Sequence, residues 1–589
     1  RSTNPPWVTD ELRALCNDRD YFRSKADLSK KPEDRIKANK FRNKVNNLVS
    51  TLKKEYVNQT IENNKNNHKE LWKTIKKCIP CSDTQTPFKL IIDDVEIEDS
   101  SDMAEAFNSF FAGIADSPAS KIPHRATSHN AKNTDAIFHF TPITNEFVAD
   151  QLIHLPNGKA TGLDRISTRL LKDGSSVLSA PLTHIFNKTL ETGKVPQEWK
   201  MAKVTPVFKE GQPSNVGNYR PISVLPVTMK VLERAVHDQL YTFLTQQGCL
   251  TPSQSGFRRG HSTATALAQF VDSIQRDIDQ GRCCGVLFLD LKKAFDTVNH
   301  PIVLLKNYGI TGIEQDWFNS YLSGRSQQTV INGICSEPKN ITCGVPQGSI
   351  LGPLLFILYI NDLPSVVRTC QISLYADDTA IYYSGLDHAE IVRTLNEELL
   401  TVSGWFQSNR LTLNVKKTKF MLFGTPSKVK KFEPAQILVG NEEIEHVPAF
   451  KYLGVILDGT LTFKQHIDYL SKKINGRIAV LGRTSRYLPQ HIRLILYKSL
   501  VIPYFDYCDI IWDVAPVQFK NRLQILQNKA LRTITKTNKY TPVQELHNLC
   551  NLPMLDDRRK YHMDIFMYKA VNSLLPEPVT RNFTYSHTI

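Results

Sequence analysis

No apolar run in this 589-residue chain reaches the roughly 20 residues that a membrane-spanning helix needs. The longest, Ile350 to Ile360, is broken by Gly352 and Pro353 and reads as a buried helix. A signal peptide is missing as well: residue 1 is arginine, and the residues after it are polar and include proline. That start leads to the expectation that the chain is cut from a longer polyprotein. The 11 cysteines lie at irregular spacings and their number is odd, which fits reduced intracellular thiols better than a disulfide framework. Cys78 and Cys81 form one CxxC with no second pair at zinc-ligand spacing, and His547 and Cys550 lack partners in the same way, so no zinc is expected. Internal repeats and low-complexity tracts are absent.

What the chain does have is positive charge. With 41% hydrophobic and 22% charged residues it has a globular composition, while a formal charge of +15 and a pI near 9.1 favour polyanionic partners, nucleic acid first. A basic protein without such a partner is the competing reading. From Tyr21 to Lys77 the sequence is basic and Asn-rich, with Phe41, Val45, Leu48 and Leu52 at helical spacing. Residues 116–135 show no periodicity and read as a linker. Between Phe140 and Asp458 short apolar runs alternate with longer helical patterns, an α+β signature. Beyond Thr460 the pattern is helical again, with Leu523, Leu526 and Ala530 on one face. The expected organisation is a basic helical extension over 1–115, a linker over 116–139, an α+β domain over 140–460 and a helical region over 461–589.

Two places end a buried apolar run on an acid. Gly285 to Asp290 reads GVLFLD, a buried strand with a carboxylate at its C-terminal end. QISLYADDTAIYY sets Asp377 and Asp378 between two apolar flanks, a hairpin with acids at its tip. Adjacent strand residues face opposite ways, so one of the pair shares a face with a third acid unless the turn bends the chain. Asp377 is the expected one. Carboxylates so placed suit phosphoryl transfer, which uses divalent metals roughly 3.5–4 Å apart, and hard Mg²⁺ takes carboxylate oxygens. Taken alone, adjacent aspartates at a turn are as readily solvated turn residues. Gly344, Pro346, Gln347 and Gly348 form a rigid-then-flexible turn before a helix, where backbone N–H groups and the Gln amide can approach a nucleotide or a template base.

LFLDLKKAFDTVNH, GVPQGSILGPLLF and YADD, in that order, resemble the palm motifs of reverse transcriptases. KATGLD, NYRPISVLPVTMKVLER and QSGFRRGHST upstream resemble the LINE-type (non-LTR) enzymes, most closely the jockey and chicken-repeat-like groups. The likeness runs from about Leu155 to Asp458 and continues more weakly through YCDIIW to the end. It implies an α+β right-hand polymerase with fingers, palm and thumb, an antiparallel palm sheet, and helical extensions at both ends.

Residue by residue, the resemblance makes Asp290 and Asp377 the principal metal ligands and Asp378 the third acid, for two Mg²⁺ ions, with Mn²⁺ as a substitute. The main-chain carbonyl of Leu291 joins them. Phe295 stands where the family places an aromatic wall that excludes a 2′-hydroxyl. Lys209 and Arg220 are similar to the basic residues that clamp the triphosphate, and an ammonium with a bidentate guanidinium suits that charge. Gln347, with Gly348, is implied to contact the incoming nucleotide. Lys417 resembles the lysine that protonates departing pyrophosphate, Lys416 and Lys419 leaving the register open by one, and Asn414 holds that turn. Tyr452, Leu453 and Gly454 resemble a primer-grip hairpin. Lys159, Gly162 and Asp164, and Arg258, Arg259 and His261, resemble template-contacting segments, although capped turns would look similar. Asp296 and His300 are read as structural.

Full-length relatives carry an endonuclease before the polymerase and some carry an RNase H or a Cys/His knuckle after it, none of which is visible here. The implied partners are template RNA, primer DNA and deoxynucleoside triphosphates, with no membrane and no indication of oligomeric state. The implied location is the nucleus and a cytoplasmic ribonucleoprotein. The competing function is a catalytically idle RNA-binding relic of a decayed element.

Overall fold

The computed structural model describes residues 5–64, 67–78, 89–113, 134–298, 305–433 and 436–581. Most of the expected linker, Cys81 and His300 therefore lie outside the described residues. The chain is mixed helix and sheet, 55% helical, and divides into two compact units. One comprises residues 1–84 and 462–568, the other residues 85–461 and 569–589. No helix among the described residues is long and apolar enough to cross a membrane.

The first unit is helical. Thr9 caps Asp10–Ser29 by accepting from Leu12 N, Lys30 turns left-handed, and Pro32 opens Pro32–Asn63 with its preset φ. Phe22 and Phe41 stack between these two helices at 4.5 Å. In Val517–Thr535 the expected stripe of Leu523, Leu526 and Ala530 is buried, and it packs toward Lys464–Thr484. This unit holds 36 Lys and Arg against 19 Asp and Glu, net +17; the rest of the chain holds 37 against 39, net −2. The basic character of the protein belongs to its helical unit.

The second unit contains all the strands among the described residues. In chain order these are β1 (Leu90–Ile92), β2 (Val95–Ile97), β3 (Met201–Phe208), β4 (Tyr219–Val224), β5 (Cys283–Leu289), β6 (Arg325–Ile331), β7 (Ile334–Cys335) and β8 (Lys339–Ile341). There follow β9 (Gln371–Tyr375), β10 (Asp378–Gly385), β11 (Lys419–Phe423), β12 (Leu438–Val439), β13 (Glu442–Glu443), β14 (Glu445–His446), β15 (Ala449–Tyr452) and β16 (Val455–Asp458). One sheet runs β4-β3-β6-β7 with β8 on β6, and a second runs β14-β11-β5-β10-β9.

The second sheet is built on β5, whose seven residues are all buried. Burial on both faces explains why the strand is apolar without alternation. Each large side chain so buried contributes about 1.5–3 kcal/mol. Helices Thr263–Asp279 and His388–Ser408 pack against it, and Gly352–Tyr359 (GPLLFILY), buried at every position but Pro353, belongs to the same core.

The expected extension over 1–115 is not one element. Its residues 89–112 belong to the sheet unit, where Met103, Phe107 and Phe111 of helix Ser100–Ala112 pack on Val204, Tyr219 and Ile331. Buried Asn108 locks this helix to the sheet edge, donating to Glu337 O at 2.7 Å and accepting from Gln327 Nε2 at 3.1 Å. Basic residues dominate only the part before it, so composition alone hid the boundary.

Candidate active site

β5 and β10 pair antiparallel with Thr379 opposite Leu289, which sets Asp290, just past β5, beside the start of β10. β9 and β10 pair with Asp378 opposite Tyr375, leaving Ala376 and Asp377 as a two-residue turn. Ala376 takes φ 56, so the turn bends the chain and the three acids interact instead of alternating between faces. Burial raises the Asp377 carboxyl, and the charge of Asp290 raises it further. Asp378 is reached by solvent at the rim, yet protein surrounds it closely. Its carboxyl is pushed up to about 6 by that burial and by Asp377 and Asp290.

Asp290 is oriented by a neighbour to which the sequence resemblance assigns only the holding of a turn. Asn414 Nδ2 donates to Asp290 Oδ2 at 2.9 Å, and Asn414 N donates to Asp290 O at 2.8 Å. Leu291 pairs with Leu413 through bonds of the flanking residues, Asn414 N to Asp290 O and Lys292 N to Thr412 O. This pairing leaves the Leu291 carbonyl unused.

These residues open on a cleft of about 1080 Å³, whose wall includes Asp290, Leu291, Asp377, Phe295, Gln347, Lys209, Arg220, Asn414 and Lys417. Residues from five separate segments of the chain thus meet in one place. The Phe295 ring stacks on Phe356 at 4.3 Å and meets Phe257 edge-on at 5.9 Å, which fixes its orientation. Gln347 Nε2 donates to Asp296 Oδ1 at 2.7 Å, so the amide oxygen is left for the cleft. Gln347 O accepts from Ser223 N at 2.8 Å, and Gly348 at φ 128 leaves no room for a Cβ, which would lie 2.4 Å from Ser223 O. Burial pushes Asp296 up to about 6 against the opposing hydrogen bond from Gln347.

The remaining expected residues lie differently. Lys417 Nζ sits 3.1 Å from Glu210 Oε1, an exposed pair of little intrinsic strength. Lys419 turns to Lys416 O and Glu445, each at 2.6 Å, so of these lysines Lys417 lines the cleft. Arg258 is committed to its own loop, Nη1 donating to Thr251 O and Gln254 O, and Arg259 pairs with Asp238 at 2.6 Å over the Tyr241 ring. Both guanidiniums are thus engaged by acceptors of the protein itself. Lys159 is exposed and does not line the cleft. Tyr452 is buried against Phe270 and Phe288, and Leu453 and Gly454 form the left-handed turn of the β15–β16 hairpin, also away from the cleft wall.

Sequence reasoning missed Phe110 and Lys293. The Lys293 ammonium lies 3.9 Å from the Phe110 ring centre at the cleft wall, a meeting of residues 183 positions apart that no local pattern announces. A second groove, about 720 Å³, runs past Phe138, Phe147 and Phe243. Its one acid, Asp238, is already paired with Arg259.

An all-oxygen donor set that includes the raised Asp377 and Asp378 carboxyls suits a hard divalent cation. Among the described residues the trio of ligand atoms mutually within 4.8 Å is Asp506, Asp509 and His562 in the helical unit. That trio is internally satisfied, with Arg558 on Asp506 and His562 on Asp509 at 2.6 Å each. Asp290, Asp377 and Asp378 do not form such a trio, and of the three Asp290 and Asp377 line the cleft.

The pattern of the family described as reverse transcriptase (RNA-dependent DNA polymerase) matches residues 207–457. Residues 207–457 are a reverse transcriptase domain. The chain is 28% identical, over 587 residues, to the probable RNA-directed DNA polymerase from transposon BS of Drosophila melanogaster, covering 94% of this chain and 63% of the relative. It is 30% identical over 432 residues to the probable RNA-directed DNA polymerase from transposon X-element of the same fly (72% and 47%), and 29% identical over 431 residues to that from mobile element jockey (71% and 46%). The reverse transcriptase domain is thus of the kind found in jockey-like non-LTR retrotransposons. The chain spans about half to two thirds of the length of these relatives.

Proposed function

We propose that this chain is an RNA-directed DNA polymerase of a non-LTR retrotransposon, adding deoxynucleotides to a primer 3′-hydroxyl. The observation that carries the reading is the convergence of Asp290, Asp377, Arg220, Lys209, Phe295 and Gln347 on one cleft inside the matched domain. In this reading the sheet on β5 is the palm, the sheet on β3 the fingers, and the helices after residue 461 the thumb. Template RNA, primer DNA and deoxynucleoside triphosphates are the partners, and a nicked chromosomal strand in the nucleus is the natural primer.

Asp290, Asp377 and Asp378, with the Leu291 carbonyl, would hold two Mg²⁺ ions. Such ions, when bound, activate the attacking oxygen and stabilise the leaving one. The chain's own residues do the rest. Asn414 keeps the Asp290 carboxylate aimed. Lys209 and Arg220 neutralise and orient the β,γ-phosphates so that the primer oxygen meets the α-phosphorus in line. A new bond forms from that oxygen to phosphorus, the hydroxyl proton passing to solvent water, as the bond to the pyrophosphate oxygen breaks. Lys417, released from Glu210, is placed to give a proton to the departing pyrophosphate, help typically worth about 10²–10⁴ in rate. The fixed ring of Phe295 crowds a 2′-hydroxyl, and the Gln347 amide oxygen contacts the nucleotide.

The test is incorporation of labelled dTTP on poly(rA)/oligo(dT) with Mg²⁺, wild type against Asp377→Asn, with UTP as competitor. Incorporation lost in the variant supports the reading. A folded chain that binds RNA but incorporates nothing would leave a binding protein instead.

A further inference from the structure

Gln254 is polar, only 2% exposed, and has no part in the proposed reaction. Its Oε1 accepts from Gly256 N at 2.7 Å and from Ala376 N at 2.9 Å, while Nε2 reaches Ala376 O at 3.5 Å. The backbone around it follows the outer edge of β9: Ser255 N donates to Leu374 O at 2.8 Å and Leu374 N to Ser253 O at 2.9 Å, a parallel bridge centred on Gln254 and Leu374. Gly256 then presses on the turn so closely that a Cβ would lie 2.2 Å from Ala376 N.

That turn is strained. Two-residue hairpin turns with a positive φ at the first central position ordinarily put glycine there, because an L side chain costs about 1–2 kcal/mol in the left-handed region. Here the position is Ala376, at φ 56, and the next two residues are Asp377 and Asp378. A relaxed turn would free the Ala376 amide and redirect both carboxylates. Buried against Gly256, the amide has Gln254 Oε1 as its acceptor among the described residues, and releasing it from that oxygen would leave a buried donor unsatisfied, at about 1–3 kcal/mol. The two costs are of similar size and opposite sense.

We infer that Gln254 is a positioning residue whose amide, backed by Gly256, holds the left-handed Ala376 turn and so sets where the Asp377 and Asp378 carboxylates stand relative to Asp290. The inference rests on the proposed polymerase reading for what those acids do. It does not rest on that reading for how the turn is held. Asn414 supports Asp290 from one side, and Gln254 supports the acid pair from the other.

The test uses the full chain bearing Gln254→Met, which keeps the side-chain volume and removes both hydrogen-bonding atoms. Hydrogen exchange of the peptide containing Ala376 should lose its protection. Mn²⁺ titration followed by electron paramagnetic resonance should show affinity weakened by about 10–100-fold, the range for partners behind metal ligands, and kcat for dTTP should fall similarly while RNA affinity and dTTP KM hold. Adding Ala376→Gly, which relaxes the left-handed turn, should restore Mn²⁺ affinity and kcat at least severalfold, something a general loss of stability would not do. Unchanged exchange and Mn²⁺ affinity in Gln254→Met overturn the inference. Should that variant not fold, Gln254→Glu, which keeps the accepting oxygen, is expected to retain Ala376 protection, and loss of it would count equally against the inference. A wild type that binds Mn²⁺ in a Gln254-dependent way yet incorporates nothing removes the polymerase reading and leaves the turn assignment standing.

Discussion

Replacing Asp296 by Asn should make the protein more stable and less active. Burial moves the Asp296 carboxyl from its ordinary 3.8 to about 6, and at about 1.4 kcal/mol per tenfold this makes its ionised form cost about 3 kcal/mol at neutral pH. The folded state binds the proton more tightly than the unfolded state. Stability is therefore highest below 3.8, falls as pH rises through the window from 3.8 to 6, and is fully reduced above it. Asn carries no charge, so at pH 7.5 the variant should gain up to about 3 kcal/mol, and at pH 5 about half of that. The gain is a ceiling because the new amide needs acceptors; the adjoining cavity of about 40 Å³, lined by Asp296, Arg325 and Gln347, has room for a water to supply one. Activity should move the other way. Gln347 Nε2 now donates to a carboxylate at 2.7 Å. A neutral acceptor holds it by about 1 kcal/mol less, so kcat/KM for dNTP should fall about fivefold, mostly through KM. Thermal unfolding at pH 7.5 and 5, with steady-state incorporation on the same samples, reads both effects. A variant less stable than wild type at both pH values, or one with unchanged kcat/KM, would refute the reasoning.

Phe295→Ala should admit ribonucleotides: the fixed ring makes a 2′-hydroxyl an overpacking defect of about 1–3 kcal/mol, so dTTP-over-UTP discrimination should drop roughly 5- to 150-fold in competition assays. At limiting Mg²⁺, activity should fall as pH drops below about 6, where Asp378 takes up its proton. More Mg²⁺ should push that limb to lower pH, because metal and proton compete for the same oxygens; a limb that ignores Mg²⁺ would count against the ligand assignment. Asn414→Ala frees the Asp290 carboxylate and should cost about 10–100-fold in kcat or metal affinity with duplex binding intact. Lys472→Ala with Lys473→Ala, exposed on Lys464–Thr484 of the +17 unit, should lower the slope of log affinity against log salt by about 0.9 for each phosphate contact removed.

Much of the site is legible before any coordinates. An apolar run ending in Asp290 and a hairpin tipped by Asp377 and Asp378 follow from patterns of a few residues, because buried strands and tight turns are local problems. The likeness to reverse transcriptases adds Arg220, Lys209, Phe295, Gln347 and Lys417, and the structure brings these to the same cleft. Arg258 and Arg259 show where such reading stops: a basic residue beside glycines looks ready for phosphate, yet one is bonded to its own loop and the other to Asp238.

The sequence by itself determined the chemistry on offer: three acids, the clamp residues, the aromatic wall, the net positive charge and the absence of a spanning segment. Only the tertiary structure decided which acid is oriented by Asn414, that Gln254 holds the Ala376 turn, that Gln347 is tied to Asp296, and that residues 89–112 belong to the sheet unit while all of the net positive charge lies in the helical one. The physical reason is range. Periodicity and turn chemistry act over a few residues, whereas each of these facts joins groups about 50 to 120 positions apart or assigns a segment to a partner elsewhere in the chain. Such pairings are selected by the burial of whole faces and by the need to satisfy each buried polar atom, a condition no single segment carries.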